Sequence, residues 1–248
     1  MTQARPFPFP DIESLALSGS RAFELGLRLN GAGAVEILAH VIGHGHPGRV
    51  ALVSSFGAES AVLLHMVAAI DPTVPVLTLD TGALFAETRR YRDRLIARLK
   101  LTDVRVLRPD PARLRAADPD GFLFRRDPDR CCAIRKVAPL NAALRGFDAW
   151  ITGRKAFQGG ARTGLTPFES DGPRIKINPL CHWSKADLEH YLTRHDVPRH
   201  PLEAQGFASI GCLPCTDRVA PGEDPRAGRW RGLAKTECGI HASQGGAQ

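Results

Sequence analysis

The chain has no run approaching the roughly 18 consecutive apolar residues that a membrane-spanning helix needs, so no membrane association is expected. It also lacks a basic start followed by an apolar stretch: Pro6, Pro8 and Pro10 break up the first ten residues. That pattern excludes a secretory leader and makes the cytoplasm the expected location. Aromatic residues are scarce at 6%, too few for a surface on which single-stranded nucleic acid could stack. The net charge of +7 is spread along the chain and forms no basic run, so a small polyanion or an acidic protein is a better partner than nucleic acid. Internal repeats and low-complexity blocks are absent as well. At 248 residues, with 43% apolar and 24% charged residues, the chain is long enough to bury a sizeable core.

Apolar periodicity organises the rest. Residues 11–44 read as two helical segments that support the fold, with the surface pair His44-x-His46 behind them. Residues 49–54 (RVALVS) form a buried-strand run followed by a Ser/Gly turn and a helical pattern over 58–70. The strand signature returns at 74–79, 103–107 and 149–152, with helical patterns over 84–99 and 134–144 between them. A further helix starts at Ser184, an N-cap residue with Asp187 three positions on. Strands and helices in this alternation predict an α/β fold with a mostly parallel sheet flanked by helices. Ligands of such sheets bind beyond the carboxyl ends of the strands, where loops 54–60, 80–85 and 153–162 would meet. Pro221, Gly222, Pro225, Gly228 and Gly232 make 220–232 a flexible connector to the terminal segment. The expected division is an N-terminal helical segment (1–46), a nucleotide-binding domain (47–219) and a mobile tail (220–248).

Three groups of residues carry chemistry. The loop Ser54-Ser55-Phe56-Gly57-Ala58-Glu59-Ser60 offers backbone N–H groups, hydroxyls and a helix N-terminus to a phosphate or sulfate, and it has no Walker lysine to imply a triphosphate with magnesium. Without a secretory leader, the six cysteines read as metal ligands or redox groups rather than disulfides. Cys131-Cys132 and Cys212-x-x-Cys215, about eighty residues apart, can form a four-thiolate site. An adjacent Cys-Cys pair does not build a zinc knuckle, which favours an iron–sulfur cluster over zinc; a simple dithiol is the third reading. Cys181 reads as a small core residue. Cys238 stands apart in a polar tail beside Lys235, Glu237 and His241. A thiolate there is a competent nucleophile, and Lys235 or His241 could keep it ionised. Lys155 and Arg162, near a Gly-Gly turn, and Arg226 and Arg229, in the connector, could reach an anion in the cleft.

Over residues 48–241 these motifs resemble the assimilatory adenylylsulfate (APS) and phosphoadenylylsulfate (PAPS) reductases. The 54–60 loop looks like the family's modified pyrophosphate loop, and Leu79-Asp80-Thr81-Gly82 with Phe85, Glu87 and Thr88 looks like its LDTGxLFxET motif. Gly211-Cys212-Leu213-Pro214-Cys215-Thr216 and Glu237-Cys238-Gly239-Ile240-His241 are similar to the cluster and catalytic segments. One segment, 153–162, departs from the pattern in having fewer arginines and no Ser after Gln158.

The resemblance implies an adenine nucleotide alpha hydrolase-like (PP-loop-like) fold and a 4Fe-4S cluster on Cys131, Cys132, Cys212 and Cys215. The four cysteines place the chain with the cluster-bearing branch, which generally takes APS. It implies that Cys238 attacks the APS sulfur and that thioredoxin, or a glutaredoxin-like dithiol, releases sulfite from the S-sulfocysteine. Ser54, Ser55, Phe56, Gly57, Ser60, Asp80, Thr81, Gly82, Lys155, Arg162, Arg226 and Arg229 are the expected substrate contacts, with Lys235 and His241 auxiliary. No second Cys-x-x-Cys suggests a fused thioredoxin module, and a homo-oligomer is left open. A PAPS or dual-substrate reductase, an ATP-using sulfurtransferase and a zinc-stabilised nucleic-acid-binding module remain as alternatives.

Overall fold

The computed structural model describes residues 12–43 and 48–241, so the His44-x-His46 pair and both chain ends lie outside the described residues. Two helices, α1 (Ile12–Arg28) and α2 (Ala34–Gly43), precede the alternating core. That core runs β1 (Val50–Val53), α3 (Ser60–Ile70), β2 (Val76–Leu79), α4 (Ala86–Leu99) and β3 (Val104–Leu107). Three short helices follow, α5 (Pro111–Ala117), α6 (Leu123–Arg126) and α7 (Pro128–Cys132), then α8 (Ala138–Leu144) and β4 (Ala149–Ile151). A hairpin of β5 (Phe168–Asp171) and β6 (Arg174–Ile177) comes next, and the last long helix is α9 (Lys185–Arg194).

The six strands are ordered β3-β2-β1-β4-β6-β5, all parallel except β5, which pairs antiparallel with β6. Leu52 sits opposite Val76 on one side and Ile151 on the other, and Ile151 sits opposite Ile177. Alternating side chains build two apolar layers. Leu52, Val76 and Ile151 pack with Leu38, Leu64, Leu95 and Leu188 from α2, α3, α4 and α9. Ala51, Leu77 and Trp150 point the other way, onto Leu140 and Leu144 of α8. Among the described residues no helix is long and apolar enough to cross a membrane.

Two features of this frame position the site. The chain builds β1, β2 and β3 in one direction and then returns to place β4 on the other side of β1, which opens a crevice at the carboxyl ends of β1 and β4. The second is a one-turn π-helix at Ala133–Val137, between α7 and α8. Pro139 has no N–H to give the Arg135 carbonyl and its ring crowds that oxygen, so the helix widens there and re-aims Arg135 and Lys136.

Candidate active site

The 54–60 loop leaves β1 at the crevice and turns into α3. Ser54 Oγ accepts the Phe56 N–H at 3.2 Å, and Gly57 N–H donates to Ser60 Oγ at 3.0 Å and Ser55 Oγ at 3.3 Å. These bonds fold the turn so that the first N–H groups of α3 face the crevice. Phe56 pays for that shape with a left-handed backbone (φ 49), and its side chain is buried in the core instead of facing a ligand, contrary to the sequence expectation.

Around this loop lies a cavity of about 210 Å³. Ser54, Ser55, Gly57, Ser60, Thr81, Lys155, Arg162, Arg226, Arg229, Cys212, Cys238 and His241 all line it. Asp80 and Gly82 do not: Asp80 Oδ1 accepts the Gly82 N–H at 3.2 Å, and its other oxygen lies 3.7 Å from Arg108 Nε. Lys155 is buried, its ammonium 2.7 Å from Glu59 Oε2, and burial pulls its pKa down. Gln158 also donates to Glu59, at 2.8 Å.

Beside the first cavity is a smaller one of about 70 Å³ lined by Cys131, Cys132, Cys212 and Cys215 together with Asp118, Arg135 and Lys136. The two cysteine pairs meet because Leu84 and Cys212 bridge as antiparallel partners and Leu213 N–H donates to the Ala83 carbonyl at 2.8 Å. Thr216 Oγ1 braces the turn, donating to the Cys212 carbonyl at 2.8 Å and accepting the Gly211 N–H at 3.2 Å. Thr81 Oγ1 hydrogen-bonds Cys212 Sγ at 3.2 Å, which joins the two cavities. Arg135 donates to the Thr81 carbonyl and to Asp118, both at 2.7 Å. Burial pushes the thiols of Cys131 and Cys215 up in pKa. Among the described residues no group of three or more His, Cys, Asp or Glu side chains is disposed to hold a metal ion. Cys181 is buried in the core, as its sequence context suggested.

Residues 220–241 fold back onto the larger cavity, where Pro225, Trp230 and Cys238 join its lining. Asp217 N–H donates to the Gly228 carbonyl at 2.8 Å, and Gly228 has to be glycine because a β-carbon there would run into the Asp217 carbonyl. Trp230 is buried beneath three cations, with Arg229 4.4 Å, Lys235 5.5 Å and Arg226 5.9 Å from its ring centre. Cys238 is thereby held half-buried in the larger cavity. Its pKa lies well below a free thiol's, first because the Cys132 thiol hydrogen-bonds it and then through the charges of Lys136 and Arg229, against the opposing effect of burial.

The cations around Cys238 differ from those expected. The Lys235 ammonium is spent on Asp129. His241 is half-buried, desolvation of its ring holds its pKa well below 6.5, and the ring lies parallel to Trp150, so it is neutral and adds no positive charge. Lys136, unmarked in the sequence, lines both cavities, and the thiolate charge of Cys238 raises its pKa despite burial. Pro139 three residues later was the available sign that this helix does not run straight. Glu237 is the other omission; it takes the Nε of Arg162 at 2.5 Å.

The chain that builds this loop, the neighbouring thiol cavity and the Cys238 site has relatives among known proteins. Residues 49–218 match the sequence profile of the phosphoadenosine phosphosulfate reductase domain, more than half of the chain. The chain belongs to this family. Proteins named adenosine 5'-phosphosulfate reductase from Mesorhizobium japonicum and Rhodococcus opacus are 54% and 40% identical to it. The alignments span 79% and 94% of this chain and 77% and 96% of theirs. Among solved structures, phosphoadenylyl-sulfate (PAPS) reductase from Candida auris, in a phosphate complex, matches with a TM-score of 0.66 and 25% identity. That match covers 80% of this chain and 96% of the other. FMN adenylyltransferase of Candida glabrata, at a TM-score of 0.51 and 15% identity over 81% and 70% of the two chains, shares the fold alone. This reductase-family member therefore has the PP-loop-like architecture expected of it. Cys238 lies beyond the matched domain, so its place in the site rests on the geometry above.

Proposed function

We propose that the protein reduces APS to sulfite and AMP in sulfate assimilation, with Cys238 as the nucleophile. The observation that carries this reading is the position of Cys238: a half-buried, ionisable thiol facing Lys136 and Arg229 inside the cavity that also contains the 54–60 loop. In the first half-reaction the Cys238 thiolate attacks the sulfate sulfur, an S–S bond forms, the S–O bond to the phosphate breaks, and its electron pair leaves with AMP. In the second, a dithiol attacks Cys238 Sγ of the S-sulfocysteine; sulfite departs with the S–S electron pair, and the second thiol of that dithiol closes a disulfide and frees Cys238. Thioredoxin or a glutaredoxin-like protein fits this role. The anionic thiolate must approach an anionic sulfate. Lys136 and Arg229 offset that repulsion and the charge developing on the departing phosphate. Ser54, Ser55, Gly57, Ser60 and Thr81 are assigned to the phosphosulfate, and residues 220–241 to a segment that docks for transfer and swings out for exchange.

The four-thiol cavity fits a 4Fe-4S cluster on Cys131, Cys132, Cys212 and Cys215. Four sulfur donors line one small cavity, and two of them are an adjacent Cys-Cys pair that does not build a zinc knuckle, which favours a polynuclear cluster over one zinc ion. Such a cluster would supply a fixed charged centre beside the nucleotide site. A ligating Cys132 has no proton to give Cys238, so Lys136 and Arg229 then carry the stabilisation of that thiolate. The cysteine set and the relatives' names favour APS over PAPS, and initial rates with the two nucleotides separate these readings.

The deciding assay is sulfite release from APS with thioredoxin. Cys238→Ser is expected to release none, and normal turnover by that variant ends the proposal. Cys131→Ser is expected to lose iron, sulfide and the brown absorbance together with activity, and full activity in an iron-free variant rules out a required cluster.

A further inference from the structure

Arg162 and Arg226 line the nucleotide cavity, yet all three nitrogens of Arg162 and Nη2 of Arg226 are engaged within the protein. Arg162 gives Nε and Nη2 to the two oxygens of Glu237 at 2.5 and 2.8 Å, and its Nη1 to Gln158. Arg226 Nη2 donates to the Thr236 carbonyl at 2.9 Å and to Glu237 Oε1 at 3.2 Å. The same Oε1 accepts the N–H of Cys238 at 2.8 Å. One carboxylate thus ties the turn at 160–162 and the connector at 225–229 to the backbone of Cys238. The side chains of Arg162, Arg226 and Glu237 are only 9%, 15% and 19% exposed, so this junction is shielded from competing water.

We propose that Glu237 is a positioning residue: its carboxylate, clamped by Arg162 and Arg226, sets the Cys238 backbone in the docked tail and so aims the sulfur into the cavity. The inference rests on the reading of Cys238 as nucleophile. A bidentate guanidinium–carboxylate pair fixes orientation as well as distance. Transfer to sulfur demands that geometry, because a displacement of about 1 Å at the reacting atom costs on the order of a hundredfold in rate. The two arginines also neutralise the one carboxylate that stands next to the thiolate, which would otherwise repel an anionic substrate. In the docked tail, Arg162 and Nη2 of Arg226 therefore grip the tail itself.

The test uses the full-length, iron-containing protein with Glu237→Gln, which preserves shape and removes the charge. Two quantities are read: the rate of Cys238 alkylation by iodoacetamide, located by peptide mass spectrometry, and the single-turnover rate of Cys238 sulfation by APS. Loss of a charge-assisted pair of this kind predicts alkylation about tenfold faster and sulfation about tenfold slower, with AMP affinity unchanged. Arg162→Gln should behave alike, and the double variant should be no slower than the slower single one, because the residues act as a unit. Retained AMP binding shows that each variant is folded. Unchanged alkylation and sulfation in Glu237→Gln overturn the proposal. So does a change in AMP affinity, which would mean that the carboxylate acts on the nucleotide site itself, and so does strict additivity in the double variant. The alkylation readout needs no turnover, so a failure of Cys238→Ser to abolish sulfite release remains a separate result.

Discussion

Two glutamates show how the two sides of this site differ. Glu237, in the tail clamp, and Glu203, behind the nucleotide cavity, are both largely withdrawn from water, and burial raises the pKa of each. Glu237 nevertheless titrates at about 2, because the Arg162 hydrogen bond and the charges of Arg162 and Arg226 outweigh its desolvation. Glu203 is pushed up to about 7: burial dominates, Arg199 offsets it only in part, and Glu189 and Glu59 add repulsion. Its Oε2 is buried without a hydrogen-bond partner. Burial alone does not set the charge of a carboxylate; the group that meets it does. The clamp is a charged device at neutral pH, whereas the Glu203 region is poised near it.

The largest effect should come from breaking the clamp on its cationic side. Arg162→Leu leaves Glu237 with Arg226 alone, and sulfite release is expected to fall a hundredfold or more, as is usual when one partner of a buried pair is removed. A loss of less than threefold would show that the clamp does not matter to turnover.

Next in size is Glu203→Gln. A carboxyl with a folded pKa above its unfolded value keeps a proton that the unfolded chain gives up between about pH 4.5 and 7. The fold therefore loses stability as pH rises through that window. The gain of the variant over the parent in urea unfolding should grow from nothing below pH 4.5 to on the order of 2–3 kcal/mol above pH 7. A gain that is independent of pH would contradict this assignment.

His200, three residues away, works in the opposite direction. Its Nδ1 accepts the Leu202 N–H at 3.2 Å, so Nε2 carries the proton and donates to Thr88 Oγ1 at 3.0 Å. Burial lowers its pKa to about 4. The unfolded chain takes a proton that the fold refuses, and stability is lost as pH falls from about 6.5 through 4. In the parent this slope and that of Glu203 oppose each other between pH 4.5 and 6.5. Glu203→Gln should unmask a stability that climbs by at most about 1.4 kcal/mol per pH unit there. The smallest effect belongs to the fully exposed Asp120–Arg126 pair: Asp120→Asn should leave the thermal midpoint unchanged within error, since solvent screens such a pair.

Much of the frame was legible in the sequence. The apolar runs in β1, β2 and β4 are short and bounded by turn residues, as strands covered on both faces require, while the edge strand β3 alternates Val and Arg. The Ser184–Asp187 capping box appears as read, with Ser184 N–H 2.8 Å from Asp187 Oδ2. The β5–β6 hairpin escaped because FESD and RIKI carry charges whose burial depends on partners: Trp150 Nε1 donates to Asp171, and Arg154 pairs with Glu169. The turn Gly172-Pro173, with Gly172 at φ 62, was the local sign of it. The cavity-facing residues were found where a motif marks the loop. Lys136 was passed over because nothing in its neighbourhood along the chain distinguishes it from a surface charge, and Glu237, though quoted beside Cys238, was given no role because its arginine partners are distant in sequence.

The sequence by itself determined the parallel sheet, the crevice at the ends of its strands, the two cysteine pairs and the presence of a lone thiol in the tail, because these follow from apolar patterning and residue type. Only the tertiary structure decided which charges face that thiol. Lys235 and His241 are its neighbours along the chain, but one is spent on Asp129 and the other is half-buried and neutral. Lys136 and Arg229 take their place, brought there by the π turn and the folded-back connector. Electrostatics depends on distance through space and on what each group already holds, and neither can be read from chain order.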